Sequence, residues 1–265
     1  MSLRQKSVKN VRSPRSASGA AFVLQHLPQT VTELLAAKRA AKKPTEVTVV
    51  DGRPQEWKEL SEWLWDGSQV QAKEALNTEF IQGIKSGLLD PTDYGGYTVQ
   101  DAVYCYNATT YYLTAAGKTS DLAMSKFIQG RIDSYKSYTQ TMFDEWHIRD
   151  PTGVSMGTAA ASYSAYEKHV AETNDPIYLL IAMLPCDQLW GWLAEQIKSG
   201  ISDKNVYSFW IEDNLPQHKS KLAEFIDANA HYYEVFWPEA KVIYQRAMQG
   251  EVDFFTSATP PPKNA

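Results

Sequence analysis

From Trp57 onward the apolar residues recur at the three-to-four-residue spacing of a helix face, and no stretch alternates convincingly in the two-residue rhythm of a half-buried strand. Trp57, Leu60, Leu64 and Trp65 make the first such face. No Asn-Gly pair offers a hairpin turn, and only Glu46 to Val50 is β-branched enough for a short extended piece. The chain therefore reads as all-α. Helices are expected near 55–66, 68–87, 91–116, 119–147, 159–172, 174–199, 203–213 and 216–246, with breaks at Gly87, Pro91, Gly117, Pro151, Pro176, Gly200 and Pro216. Pro238 falls inside the last of these and predicts a kink there. Long helices joined by short loops imply a compact bundle whose ligand site lies between helices.

A chain of 265 residues with 43% hydrophobic and 22% charged side chains can bury one sizeable core and lacks the composition of a disordered polymer. Its longest apolar run, Ile177 to Pro185, stops after about nine residues, well short of the ~18 to 20 that cross a bilayer, so no membrane partner is expected. With only Cys105 and Cys186 present, no disulfide framework is expected, and a reducing, cytoplasmic setting fits. The net charge of −5 is unevenly spread: before Glu46 stand nine Lys and Arg against the single acid Glu33, which leaves the remainder near −13. An acidic body does not suit nucleic acid.

Three segments follow: a basic extension over 1–45, a helical domain over 46–250 and a Pro-rich tail over 251–265 that contains Pro260, Pro261 and Pro262. The first 20 residues, rich in Arg and Ser and free of acids, read as a solvated tail or an organelle-targeting peptide. Gln29 to Lys43 reads as a short peripheral helix with its cations at the C-terminal end.

Few residues invite chemistry. Cys186 follows a wholly apolar run and precedes Trp190 and Trp192; such a cysteine is ordinarily a small packing residue, and a catalytic thiol needs a partner to take its proton. Asp101 and Tyr104 stand three residues apart on a helix rich in aromatics and can present to one side. Glu234, in Ala230-His231-Tyr232-Tyr233-Glu234-Val235-Phe236-Trp237, is flanked by bulky apolar groups, whose desolvation would raise its pKa toward acid/base use. The pairs His169/Glu172 and His231/Glu234 suggest a metal only weakly, because a diiron bundle needs more inward carboxylates and histidines than their neighbours supply. Neither a Gly-rich phosphate loop nor a Cys-x-x-Cys pair occurs.

Taken in order, the segments Phe80-Ile81-Gln82-Gly83-Ile84-Lys85-Ser86-Gly87-Leu88-Leu89, Tyr97-Thr98-Val99-Gln100-Asp101-Ala102-Val103-Tyr104, Ala182-Met183-Leu184-Pro185-Cys186, Tyr207-Ser208-Phe209-Trp210-Ile211 and Tyr232 to Trp237 resemble the TenA/thiaminase II family, from about Trp57 to Met248. The resemblance implies a haem-oxygenase-like helical bundle, commonly a homotetramer, with no cofactor and no metal, acting on a small aminopyrimidine or on thiamin. It further implies roles: Asp101 for the amino group and ring nitrogen of the pyrimidine, Tyr104 and Tyr163 for the pocket wall, Cys186 as nucleophile and Glu234 as acid/base.

The chain departs from that pattern. The family's Tyr-x-x-Trp-Ile segment runs on to a site tyrosine, where this chain has Asn214, an amide that hydrogen-bonds but lacks a phenol's acidity. Thr78-Glu79-Phe80 stands for the family's His-Pro-Phe, and Asn107-Ala108 for an aromatic. These changes leave three functions open: an aminopyrimidine or thiamin hydrolase, a relative on the same bundle that binds or converts another small ligand, and a metal-dependent oxidase on a related scaffold.

Overall fold

The computed structural model describes residues 51–259, which form ten α-helices and no strand. In chain order these are α1 (Leu60–Asp66), α2 (Gln69–Leu76), α3 (Glu79–Ser86), α4 (Pro91–Gly117), α5 (Leu122–Glu145), α6 (Thr158–Thr173), α7 (Pro176–Ile197), α8 (Ser208–Asn214), α9 (Lys221–Asn229) and α10 (Trp237–Ala258). The basic extension, the peripheral helix over 29–43, the extended piece over 46–50 and the three prolines at 260–262 lie outside the described residues.

Capping explains several boundaries. Asp90 and Asp121 accept the backbone N–H groups of Thr92 and Met124 at 2.7 and 2.9 Å, and Pro91 fills the first position of α4, where a missing N–H costs nothing. Gly87 closes α3 in the left-handed conformation, φ 75°, that glycine adopts without strain.

Three expected boundaries are corrected. The helix placed at 68–87 is two, because Thr78 turns its hydroxyl onto the N–H of Ile81 and starts a new helix there. The helix placed at 216–246 is also two: α9 ends at Asn229, a turn follows, and α10 begins at Trp237. Pro238 therefore sits in the first turn of α10, where it breaks no hydrogen bond, and the expected kink does not arise. Finally, α10 continues past Gly250 to Ala258, so the stretch assigned to a tail is helical there, with Glu251, Val252, Phe254 and Phe255 buried.

The middle of the bundle is α7, whose side chains from Ile177 to Pro185 are all buried. It is the one helix among the described residues long and apolar enough to cross a bilayer, and its burial makes it the core helix of the bundle. Helices α6, α8, α9 and α10 pack on it, while α4 is sandwiched against α5 and α6. A continuous aromatic layer runs between α3, α4, α7 and α10: Phe80 lies 4.4 Å from Tyr97, Tyr97 4.5 Å from Phe254, and Trp190 5.7 Å from both Phe255 and Trp210, centroid to centroid. This layer surrounds a small polar interior.

Candidate active site

That interior is built by residues one or two helical turns apart on four helices. On α4, Tyr97, Asp101 and Tyr104 share the inward face; on α6, Tyr163 and Glu167 do; α7 supplies Cys186 and Trp190, and α10 supplies Glu251.

Asp101 is buried and accepts a 3.0 Å hydrogen bond from the hydroxyl of Tyr138 on α5. Burial pushes its pKa up to about 6, although the bond from Tyr138 opposes the rise. Tyr104, one turn on, donates to Glu167 Oε1 at 2.5 Å, and its ring stacks on Tyr163 at 5.1 Å. Tyr163 in turn donates to Glu251 Oε1 at 3.1 Å, while the indole N–H of Trp190 donates to Glu251 Oε2 at the same distance. Glu251 is 2% exposed, and desolvation lifts its pKa to about 7 against the two bonds that favour the anion.

Cys186 lies one turn before Trp190, directly after Pro185, which cannot donate to the carbonyl four residues back. The residue retains partial exposure at a cleft, yet its thiol is packed densely enough that burial pushes its pKa well above the ordinary thiol range, and the charges of Glu251, Asp187, Cys105 and Asp101 add to the rise. The thiol is therefore neutral near neutral pH and needs a base beside it. The cleft has a volume of about 590 Å³; Cys186, Trp190 and Asn214 border it, together with Asp187 and Lys219. A second cleft, of about 810 Å³, is bordered by Tyr97, Gln100, Arg246 and Asp253.

Of the residues singled out in the sequence, Asp101, Tyr104, Tyr163 and Cys186 are thus set around one buried region. Asn214 ends α8 at the cleft that Cys186 borders, with its amide N–H₂ donating to Trp210 O at 2.8 Å, so its side chain is committed to its own helix. Glu234 is different. It occupies the turn between α9 and α10 at φ 52°, and its side chain is exposed. The desolvation expected from its aromatic sequence neighbours does not occur, because the turn directs the residue to solvent while Val235 and Trp237 go inward. Glu251 holds the setting expected for Glu234. Its signal was present in the sequence as an acid on the apolar face Tyr244, Met248, Glu251, Phe255, obscured by the glycine before it.

Gly250 has its own function in this geometry. A Cβ built there would fall 2.5 Å from Cδ2 of Tyr163, so only glycine lets α10 approach the tyrosine ring closely enough for its hydroxyl to meet Glu251. Among the described residues no group of three His, Cys, Asp or Glu side chains is arranged to hold a metal ion, and His169, Glu172 and His231 are exposed.

A helical bundle with a thiol, three carboxyls and several phenols enclosed at its centre defines a small-molecule site of the acid/base and nucleophile type. The chain belongs to the TENA/THI-4/PQQC family, whose model matches residues 68–260. Among curated proteins it is 23% identical over 176 residues to an aminopyrimidine aminohydrolase of Halalkalibacterium halodurans, covering 62% of this chain and 76% of that one. A hydroxymethylpyrimidine/phosphomethylpyrimidine kinase of Saccharomyces cerevisiae is 24% identical over 198 residues, covering 69% of this chain and 36% of the kinase. Among solved structures, a TenA family transcription regulator from Silicibacter sp. superposes with a TM-score of 0.67 at 14% identity, covering 77% of this chain and 98% of that one. A TenA homologue from P. horikoshii gives 0.66 at 19% identity, covering 76% and 98%. These likenesses establish the fold.

Proposed function

We propose that this protein hydrolyses the exocyclic C–N bond of an aminopyrimidine, with Cys186 as nucleophile, Glu251 as the acid/base and Asp101 as the group that recognises the ring. The observation that carries the reading is the pairing of a neutral, buried thiol with a carboxyl poised near neutrality, Glu251, whose charge is the strongest electrostatic influence on that thiol. Glu251 replaces Glu234 in the role that resemblance alone had suggested. The name of the Halalkalibacterium halodurans relative supports the substrate class.

The steps balance on these residues. Asp101, whose protonated form is within reach at a pKa of about 6, can donate to a ring nitrogen and accept from the adjacent amino group, giving the ring electrons a place to go. Cys186 sulfur adds to a ring carbon as its proton passes to the Glu251 carboxylate. The C–N bond then breaks, and Glu251 returns that proton to the departing amine. Water adds to the exocyclic carbon and gives a proton to Glu251, which hands it back to sulfur as the C–S bond opens and the ring regains aromaticity. The net reaction is replacement of an amine by a hydroxyl, with no redox change. Trp190 and Tyr163 hold both Glu251 oxygens, so the carboxyl is fixed while it gives and takes the proton.

The deciding experiment incubates the purified chain with an aminomethylpyrimidine and with thiamin and measures ammonia and thiazole release. Turnover of either that disappears in Cys186→Ser supports the reading; no turnover of both removes it and leaves a relative that serves another ligand.

A further inference from the structure

Among the described residues, five buried side-chain polar atoms make no hydrogen bond, one each on Tyr97, Tyr112, Arg131, Thr139 and Glu167. Of these residues only Tyr97 borders either cleft, forming part of the wall of the 810 Å³ one. Its ring is held firmly. Phe80 lies 4.4 Å away, Phe254 4.5 Å and Phe255 5.6 Å, and Trp190, which borders the Cys186 cleft, stands at 6.2 Å, centroid to centroid. The phenol oxygen lies on the axis about which the ring turns, so no ring rotation carries it to another partner while this packing lasts. With the residue only 4% exposed, bulk water does not serve it either. An unpaired buried hydroxyl costs the empty protein free energy that a phenylalanine in the same place would not. The sequence nevertheless sets a tyrosine there, one helical turn before Asp101 on the same inward face of α4. Burial and the nearby Asp101 charge hold this phenol well above the ordinary tyrosine range, so it keeps its proton and can donate it in a hydrogen bond.

We infer that the Tyr97 hydroxyl is a ligand-binding donor, and that it reads the ring nitrogen lying across the aminopyrimidine ring from the amino-bearing carbon. The inference rests on the substrate class and the role of Asp101 proposed above. In that reading Asp101 meets the amino group and the nitrogen beside it, which leaves the far nitrogen as an acceptor without a donor. Tyr97 and that nitrogen satisfy each other, since each is a polar group costly to bury alone. The pairing also sets specificity. A ring with C–H in place of the far nitrogen would leave the phenol unpaired in the complex, and a site built to hydrogen-bond a substrate atom rejects the analogue that lacks it. Tyr97 takes no part in the bond-breaking steps and acts on binding.

The test compares wild type and Tyr97→Phe with two probes, the hydroxymethyl aminopyrimidine and the aminopyridine that keeps its amino group, adjacent nitrogen and substituents but carries C–H at the far position. Titration calorimetry should show the ratio of the two affinities shifting about tenfold between the proteins, because Tyr97→Phe loses affinity for the pyrimidine and not for the pyridine. The different basicity of the two rings cancels in that comparison. A ratio that stays within about twofold overturns the inference and leaves the roles of Asp101 and Cys186 standing, whereas a wild type that binds neither probe overturns it together with the substrate class. Thermal unfolding without ligand gives an independent check. Tyr97→Phe should melt no lower than wild type, since the hydroxyl it loses has no partner in the protein; a fall in Tm of several degrees, or a failure to fold, shows that the hydroxyl serves the structure and overturns the inference as well. With the aminomethylpyrimidine as substrate, KM should rise about tenfold while kcat holds within about threefold, and a lowered kcat at unchanged KM refutes the binding role. A wild type that binds the pyrimidine without hydrolysing it removes the proposed reaction and leaves the affinity ratio to decide.

Discussion

Replacing Gly250 by alanine sets two physical effects of opposite sign against each other. Gly250 lies inside α10, and on helix propensity alone the alanine should stabilise the protein by about 1 kcal/mol. The packing says otherwise. The new Cβ would stand 2.5, 2.6 and 3.0 Å from Cδ2, Cγ and Cε2 of Tyr163, against the roughly 3.5 to 4.0 Å at which carbon atoms rest, so the ring must retreat by about 1 Å. It has little room, since Tyr163 is 3% exposed and stacked on Tyr104 at 5.1 Å. Overpacking of this kind costs about 1 to 3 kcal/mol. A retreat of that size also stretches the 3.1 Å bond to Glu251 beyond hydrogen-bonding reach, which costs about 1 to 3 kcal/mol more for a buried charged acceptor. The net expectation is a loss of about 1 to 5 kcal/mol, or a fall in Tm on the order of 2 to 20 °C for a domain of this size. Thermal unfolding followed by circular dichroism measures it, with leaving-group release assayed well below the transition. A Gly250→Ala protein as stable as wild type or more so would refute the close approach of α10 to Tyr163 and the positioning of Glu251 that depends on it.

Cys186→Ser should preserve ligand binding and lower turnover roughly a thousandfold or more, since a hydroxyl gives up its proton far less readily than a thiol; calorimetric titration and ammonia release separate the two. Glu251→Gln should be comparably damaging while Glu234→Gln stays within about twofold of wild type, and equal losses in both would return the acid/base role to the exposed residue. Because the Glu251 pKa is raised from 4.5 to about 7, the folded state holds the proton more tightly than the unfolded chain, so its contribution to stability is complete below pH 4.5 and is lost as pH climbs through 7. Urea unfolding of Glu251→Gln should accordingly show a shallower decline over that window than wild type. Removing the Glu251 charge should also lower the Cys186 pKa, so alkylation of that thiol at mildly alkaline pH, located by mass spectrometry, should speed up about tenfold even as turnover vanishes. Asp101→Asn keeps one acceptor and one donor facing the ring and should bind an aminopyrimidine within a few-fold of wild type without turning it over, whereas Asp101→Leu should weaken binding about 10- to 100-fold.

The helices were legible because their signal is local: spacing, caps, and prolines at first positions. What sequence could not give was the side of a turn on which a residue emerges. Glu234 and Glu251 both stand among aromatics, yet one is exposed and the other buried, and the difference is made by a left-handed turn residue and a helix that crosses Tyr163 far away in the chain. Gly250 read as a break for a similar reason, since the property that weakens a helix in isolation permits close contact once a partner is present. Pro238 misled the other way, as the assignment of one continuous helix to 216–246 hid the turn that makes it an N-terminal residue. Tyr138 and Glu167 carried no sequence signal distinguishing them from surface polar residues on amphipathic helices; their roles are set by what Asp101 and Tyr104 bring to meet them.

The electrostatics of the site also constrain how its thiol can work. Nucleophilic cysteines are commonly activated by a cation or a helix N-terminus that stabilises the thiolate in advance, but Cys186 lies within α7 among Glu251, Asp187 and Asp101, which destabilise it. In the unliganded protein the proton therefore belongs on sulfur, and the carboxyls keep it there. In the proposed reaction, attack would begin as proton removal and C–S bond formation proceed together, which would tie the reactivity of the thiol to a ring already held by Asp101. A protein that kept a free thiolate at the floor of a 590 Å³ cleft would expose it to every oxidant and electrophile that entered. In that reaction the surrounding acids would cost catalytic power in the resting state and confer selectivity, because only a ring polarised by Asp101 would become electrophilic enough for a neutral thiol to add with Glu251 as base.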